Sequence, residues 1–371
     1  MVITGAERNS GIGIKLYGSQ YIRITGTGDA TLGYGIEIHD TANAAVDTNQ
    51  PGMDDTAGTE YVEFDHIYAH NVGAGFRMAK NNALLDTDIP WSGHQYYIHD
   101  NWIRTTTAEA MYIGSSDSHG IFPIYDVEVW NNRIEDAGYD GIQIRQAHSQ
   151  VLVHDNYIQS TGGQPCKNGT LDNTAGFNIA KGTDTGDWYN NTVIGARTAF
   201  YIKDAANVRV FNNLIIDSGH SNSVLTSVEC PANRTQTAPE GAAQIINSSG
   251  VEFMFNTVAN PNILARYGIS IDQSTGVIHD NILAGNFENF FLGTGITMTH
   301  NLTNSEMDYF KFVAPENNDY HLSELSPAID AAGTSSFPWS DLDRWIRPQG
   351  NYSDVGAYEY HGPKVTSDRS R

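Results

Sequence analysis

Basic residues are scarce in this chain. Its 371 residues carry 21 Lys and Arg against 43 Asp and Glu, a formal net charge of −22, and no run of Lys or Arg occurs anywhere. A phosphate backbone or an anionic membrane surface repels such a chain, which argues against nucleic-acid and membrane partners. No stretch approaches the roughly 18 consecutive apolar residues of a membrane-spanning helix. The opening MVITGAERNSG lacks the basic and apolar regions of an export signal. Cysteine is nearly absent: Cys166 and Cys230 each sit in a Gly/Pro/Ser/Thr-rich interruption, and read equally as one staple between two loops or as two thiols. Helical i, i+3, i+4 spacing is also rare, which removes helical solenoids. No LxxLxL repeat, HExxH motif, Cys/His zinc spacing, nucleophile elbow or nonapeptide calcium repeat is present.

What the chain does have is a repeat. Aligned on one asparagine, it reads HDNWI at Asn101, WNNRI at Asn132, HDNYI at Asn156, YNNTV at Asn191, FNNLI at Asn213, MFNTV at Asn256 and HDNIL at Asn281, with a weaker THNLT at Asn301. The shortest interval is about 20 to 25 residues, and the excess elsewhere sits in insertions. Each unit carries a second apolar strand: GIEI from Gly35, GFRM from Gly75, AMYI from Ala110, GIQI from Gly141, GFNI from Gly176, AFYI from Ala199 and GISI from Gly268. Two short period-2 strands per unit, separated by Gly, Asn and Asp turns, predict the stacked coils of a parallel β-solenoid. A lone coil cannot bury its Ile, Val and Phe, whereas a stack buries them continuously. The Asn column is expected to be structural, each amide bonding the turn of the next coil.

Stacking the GIxI strands in register predicts outward columns. The first is Glu37, Arg77, Tyr112, Gln143, Asn178, Tyr201, Gln244 and Ser270. Two residues on come His39, Ala79, Gly114, Arg145, Ala180, Lys203, Ile246 and Asp272, and one further Asp40, Lys80, Ser115, Gln146, Lys181, Asp204, Asn247 and Gln273. A purely structural sheet face has no need of Arg, Tyr, Gln, Asn and Lys at spacings of about 4.8 Å, so this strip is the candidate site. Arg77, Lys80, Arg145, Lys181 and Lys203 fall on it; the alternative is that they form salt bridges with Asp117, Asp140 and Asp204. Long connections near residues 41 to 59, 81 to 95, 115 to 125, 159 to 174 and 216 to 241 predict walls for a groove that suits a linear polymer.

The coil pattern over roughly residues 10 to 305 resembles the right-handed parallel β-helix superfamily of pectate lyases, alginate lyases and related secreted polysaccharide enzymes. The right hand is implied by that resemblance, not by the repeat. From SPAIDAAG at Ser326 through DLDRWIRPQGNYSDVGAYEY at Asp341, the chain resembles the C-terminal closure of secreted bacterial β-helix proteins. The expected organisation is an all-β, single-stranded helix over 1–305 with long loop insertions, and a capping segment over 306–371 packed on the last coils. Locally, YIGSSDSHG from Tyr112, DGIQIRQAHS from Asp140 and GFNIAKG from Gly176 resemble the alginate lyase and chondroitinase B family. This chain departs from that family's pattern: Gln143 stands where a calcium-binding acid is expected, Arg145 lies two residues on, and Ala147 or His148 stands where the catalytic Lys is expected.

The resemblance implies a secreted, cell-surface or periplasmic polysaccharide lyase, monomeric, with any export signal outside this sequence. No cofactor is required by the residues, and Ca²⁺ is left open. For elimination, Arg145 or His148 are the base-side candidates, Lys181 or Lys203 the proton donor or charge neutraliser, and Arg77, Lys80, Tyr112, Gln143, Asn178 and Tyr201 the substrate contacts. The alternative is a glycoside hydrolase, which needs two carboxyls about 5 to 10 Å apart; its candidates are Asp117, Asp140 and Asp204, with Glu37 and Glu109 toward the N-terminal end. A second alternative is a carbohydrate-binding or adhesion module without turnover.

Overall fold

The computed structural model describes residues 1–4, 11–16, 18–27, 33–47, 59–78, 92–115, 123–162, 174–219, 241–334 and 337–362. Cys166, Cys230, Lys80, Trp91 and Asp117, and most of the long connections, lie outside these residues.

Each coil has three strands and two sharp corners. In the coil that begins at Ile124, Ile124–Trp130 runs along the back, Arg133–Ala137 follows the asparagine corner, and Ile142–Arg145 completes the turn. The next coil then starts at Ala147–His154. Single residues in left-handed backbone make the bends: Asn131 has φ 52° and Gln146 has φ 53°. Asn and Asp tolerate this conformation better than other side chains, which is why they crowd the corners. The back strands form a ten-stranded sheet, from Gln20–Thr25 to Ile296–Thr299, and the two remaining faces join into one nineteen-stranded sheet. Every pairing in both sheets is parallel. The protein is a parallel β-helix.

Its interior is built from columns of like residues. Phe76, Met111, Ile142, Phe177 and Phe200 stand one above another and are almost fully buried, with the rings of Phe177 and Phe200 stacked 4.9 Å apart. Inside the asparagine corner the expected ladder is present. The Asn156 side chain donates from Nδ2 to the Val129 carbonyl at 2.9 Å and to Asn191 Oδ1 at 3.0 Å, and the Asn191 oxygen also accepts the Asn156 backbone N–H. The pattern repeats from Asn101 to Asn301, and the Asn101 oxygen accepts the Ile67 N–H at its lower end. These amides satisfy the polar backbone groups of a buried corner.

The register corrects one sequence assignment. The strand Ile36–His39, which carries GIEI, pairs with Ile67–Val72 and places Glu37 opposite Tyr68. It therefore belongs to the face that follows the asparagine corner. The GIxI position of that coil is filled by Ala44–Asp47, with Asp47 opposite Arg77.

After the last coil strand, Leu302–Asn304, a 3₁₀ turn (Met307–Phe310) leads to the antiparallel pair Phe312–Ala314 and Asp319–Leu322. The remaining residues to 362 are mostly irregular. This segment lies along the side of the coils: Phe310, Phe312, Tyr320, Val355 and Tyr358 share a second apolar core with Phe211, Leu214, Met254, Phe255 and Ile282. Buried Arg347 fastens it, pairing with Glu359 at 2.6 Å and donating to the Gly356 carbonyl and to Asn212 of an earlier coil. Arg344 reaches back to Asp155 at 2.9 Å.

Candidate functional site

The polar strip forms on the GIxI face. From the N-terminal end, one unbroken column runs Lys15, Asp47, Arg77, Tyr112, Gln143, Asn178, Tyr201, Gln244 and Ser270. The order from Arg77 onward is the one read from the sequence. Asp47, which takes the place assigned to Glu37, was missed because GIEI just before it carries the same pattern. It holds Arg77 in a two-pronged pair, Nε to Oδ1 at 3.1 Å and Nη2 to Oδ2 at 2.6 Å, so Arg77 is a fixed and locally neutralised cation.

Beside this column, Arg145 and Lys203 occupy equivalent positions two coils apart, with Ala180 between them. Parallel strands lie about 4.8 Å apart, so the two cations flank a gap of about 10 Å over a single methyl group. Gln143 and Asn178 border that gap and are fully buried. Neither amide atom of Gln143 has a hydrogen-bond partner among the described residues. A buried amide left unpaired costs about 1–3 kcal/mol, and such a group is recovered when a ligand supplies the missing bonds.

Two carboxyls complete the site. The Ala110 N–H donates to the Asp140 carbonyl and Met111 pairs with Ile142, so Glu109 and Asp140 occupy equivalent positions on consecutive coils. Asp140 is fully buried; its carboxylate accepts the Ala175 N–H at 2.7 Å and Asn178 Nδ2 at 2.8 Å. Burial, followed by the charge of Glu109, pushes the Asp140 carboxyl up to about 7. Glu109 is also raised by burial, against the opposing pull of Arg145 and Arg77. Two acids whose burial raises their affinity for protons are thus held side by side, opposed by the strip's arginines. Both were named from sequence, but only stacking brings them together.

The other candidates are dispersed. Lys181 (φ 52°) and Asp204 (φ 54°) are corner residues at the end of the strip strands, and Asp204 accepts a bond from Asn247 Nδ2 at 2.5 Å. His148 has rounded the Gln146 corner onto the back sheet. There its Nδ1 lies 2.9 Å from Asp184, and its ring leans on Tyr125 in a column of rings with His94 and Tyr61. The chain turns it away from the strip. Among the described residues, the acidic cluster of Glu63, Asp65 and His99 is already bonded to Arg23, Thr25 and His66. No helix there is long and apolar enough to cross a membrane.

No family model matches the chain, and no curated protein matches it. Among solved structures, the crystal structure of pectate lyase Pel9A is similar to it at 14% sequence identity and a TM-score of 0.36, over 94% of this chain and 96% of that one. The β-helix assignment stands on the hydrogen-bond register of this chain itself.

Proposed function

We propose that the chain is a carbohydrate-active enzyme of the cell exterior, a polysaccharide lyase that eliminates across a uronic-acid polymer laid along the GIxI strip. The observation that carries this reading is the placement of Arg145 and Lys203 on either side of Ala180, beside the unpaired amide of Gln143. In a chain with a net charge of −22, two cations placed at equivalent positions two coils apart favour an anionic polymer. Elimination removes the C5 proton, breaks the C4–O bond and delivers a proton to the leaving oxygen. Arg145 is assigned to neutralise the sugar carboxylate, and Lys203 to carry the proton from C5 to the leaving oxygen as the C4–C5 double bond forms and the C4–O bond breaks, so that the proton removed is the proton delivered. Tyr112, Gln143, Asn178 and Tyr201 are assigned to orient the sugar hydroxyls. The monomeric state is part of this proposal, and comparison of turnover with and without Ca²⁺ decides whether a cation takes part.

A second reading, glycoside hydrolysis, is favoured by the Glu109 and Asp140 pair. Carboxyls at equivalent positions of consecutive coils, about one strand spacing apart, suit the close acid pair of a retaining hydrolase. The deciding experiment treats alginate, pectate, glycosaminoglycans, xylan and β-glucans with the protein, with and without Ca²⁺. It follows the ultraviolet absorbance of the C4–C5 double bond and the reducing ends together. New absorbance with new ends supports elimination. New ends without absorbance overturn it in favour of hydrolysis, and no product from any polymer favours a binding module.

A further inference from the structure

At the far end of the back strands from the Gln146 corner, the outside of the asparagine corner carries a hollow of about 410 Å³. It is lined by Tyr34, Asp100, Asn131, Arg133, Asp155 and Tyr157. A depression of this size holds one or two sugar units. Tyr34 is not part of a coil column. It leans across the corner onto Tyr68 and Trp102, ring centres 6.3 and 6.0 Å away, and it is half-buried.

The floor is rigid. Arg133 is clamped by Glu135 through Nε at 2.9 Å, and its guanidinium lies over the rings of Trp102 and Tyr157, at 5.8 and 5.0 Å. Glu135 is held in turn by Trp102 Nε1. The rim is held too: Asp100 Oδ2 bonds His99 and its Oδ1 accepts from Asn131, while Asp155 Oδ2 takes both His154 and Arg344.

What remains is a set of polar groups on residues that line the hollow. Among the described residues, Tyr34 Oη, Arg133 Nη1, Asn131 Oδ1 and Asp155 Oδ1 take no part in the hydrogen bonds that hold the floor and rim. Fixed acceptors and one fixed donor, bordered by two tyrosine rings, complement the alternating hydroxyls and C–H face of a sugar. The fixed charges are Asp100, Asp155 and Glu135 against Arg133 and Arg344, which leaves no surplus of cation for an acidic sugar.

We infer that this corner is a second carbohydrate site, distinct from the strip, and that it takes neutral sugar units. Its role is to hold a glycan: the rim carboxylates of Asp100 and Asp155 are each held by protein partners rather than paired as the acid and base of a hydrolase.

The test is calorimetric titration of the full chain with cellohexaose, xylohexaose and mannohexaose. At least one should bind saturably, with a Kd of about 0.1–10 mM. Tyr34→Ala should weaken that binding by about tenfold or more, since one lost stacking partner and hydroxyl contact is worth about a factor of ten, and Tyr34→Trp should retain it. Arg145→Gln should leave it unchanged, and Tyr34→Ala should not alter cleavage of any polymer the strip accepts. Unchanged thermal melting of Tyr34→Ala establishes that the variant is folded. Three neutral hexasaccharides that all fail to saturate overturn the inference. So does binding that Tyr34→Ala leaves intact, or binding that Arg145→Gln abolishes, which would move it to the strip. Because the readout is binding, it is independent of whether the strip eliminates, hydrolyses or does neither.

Discussion

Asp140 stands directly over Glu109, one coil further along the helix, and the charge of Glu109 helps keep the Asp140 carboxyl protonated up to about pH 7. Placing two acids at one position of consecutive coils leaves them about one strand spacing apart, near 4.8 Å. Arg145 and Arg77 oppose the resulting repulsion at Glu109.

A pH dependence of stability follows. An unfolded Asp titrates near 3.9, whereas the folded Asp140 titrates at about 7. Between these values the folded state binds the extra proton, so this group makes stability fall as pH rises from about 4 to 7, the reverse of a salt-bridged Asp. Asp140→Asn should flatten that fall, by on the order of 2 kcal/mol between the two ends. The Asn178 amide can rotate to meet the new donor. Urea melts of both proteins at the two pH values check this, and an identical slope would show that Asp140 is ionised throughout.

Arg145→Gln and Lys203→Gln should each cut turnover on the cleaved polymer by about a hundredfold or more, with little change in melting temperature because both side chains are half-exposed. Gln143→Ala should act mainly on KM. If activity survives in both cation variants and disappears in Glu109→Gln, the carboxyl pair carries the chemistry.

The asparagine ladder is expected to be a stability element alone. Asn191→Ala strips partners from the Asn156 N–H and amide and from the Val153 carbonyl, all in a buried corner. Several orphaned buried groups cost about 3–5 kcal/mol together. Thermal unfolding measures this loss, and activity per folded molecule should be unchanged.

Arg347 and Glu359 are almost wholly buried and paired at 2.6 Å. Arg347→Met leaves Glu359 without its cation and should destabilise by about 3–5 kcal/mol, while Arg347→Met with Glu359→Gln should recover part of the loss. Limited proteolysis should then cut residues 306–362 before the coils.

His321 lies between Asp343 at 2.7 Å and Asp319 at 2.6 Å. The hydrogen bond to Asp343 is the main cause that lifts its imidazole to about 9. A raised histidine contributes stability that is complete below about 6.5 and is lost as pH rises through about 9. An NMR titration should find that value, and Asp343→Asn should lower it.

The repeat was legible because its cause is local and recurs in every coil. Asn101 through Asn301 read as one column since each sits before an apolar pair in a similar corner, and Arg77 through Ser270 kept their order because strands of one period stack in one register. GIEI misled for the same reason: its pattern is right, but two faces of the coil share that pattern, and only the partner strand at Tyr68 decides between them. His148 was misplaced because the single left-handed residue Gln146 sends the chain around a corner, which alternation cannot reveal.

Composition, periodicity and the asparagine spacing were sufficient on their own for a stacked parallel β-helix, because burying apolar strands of that period leaves few other solutions. The tertiary structure alone decided which charges meet. Glu109 lies under Asp140, Asp47 holds Arg77, and Arg347 reaches Asn212, 135 residues earlier, because electrostatic partners are set by register across coils and by the path of the C-terminal segment, and distance along the chain carries neither.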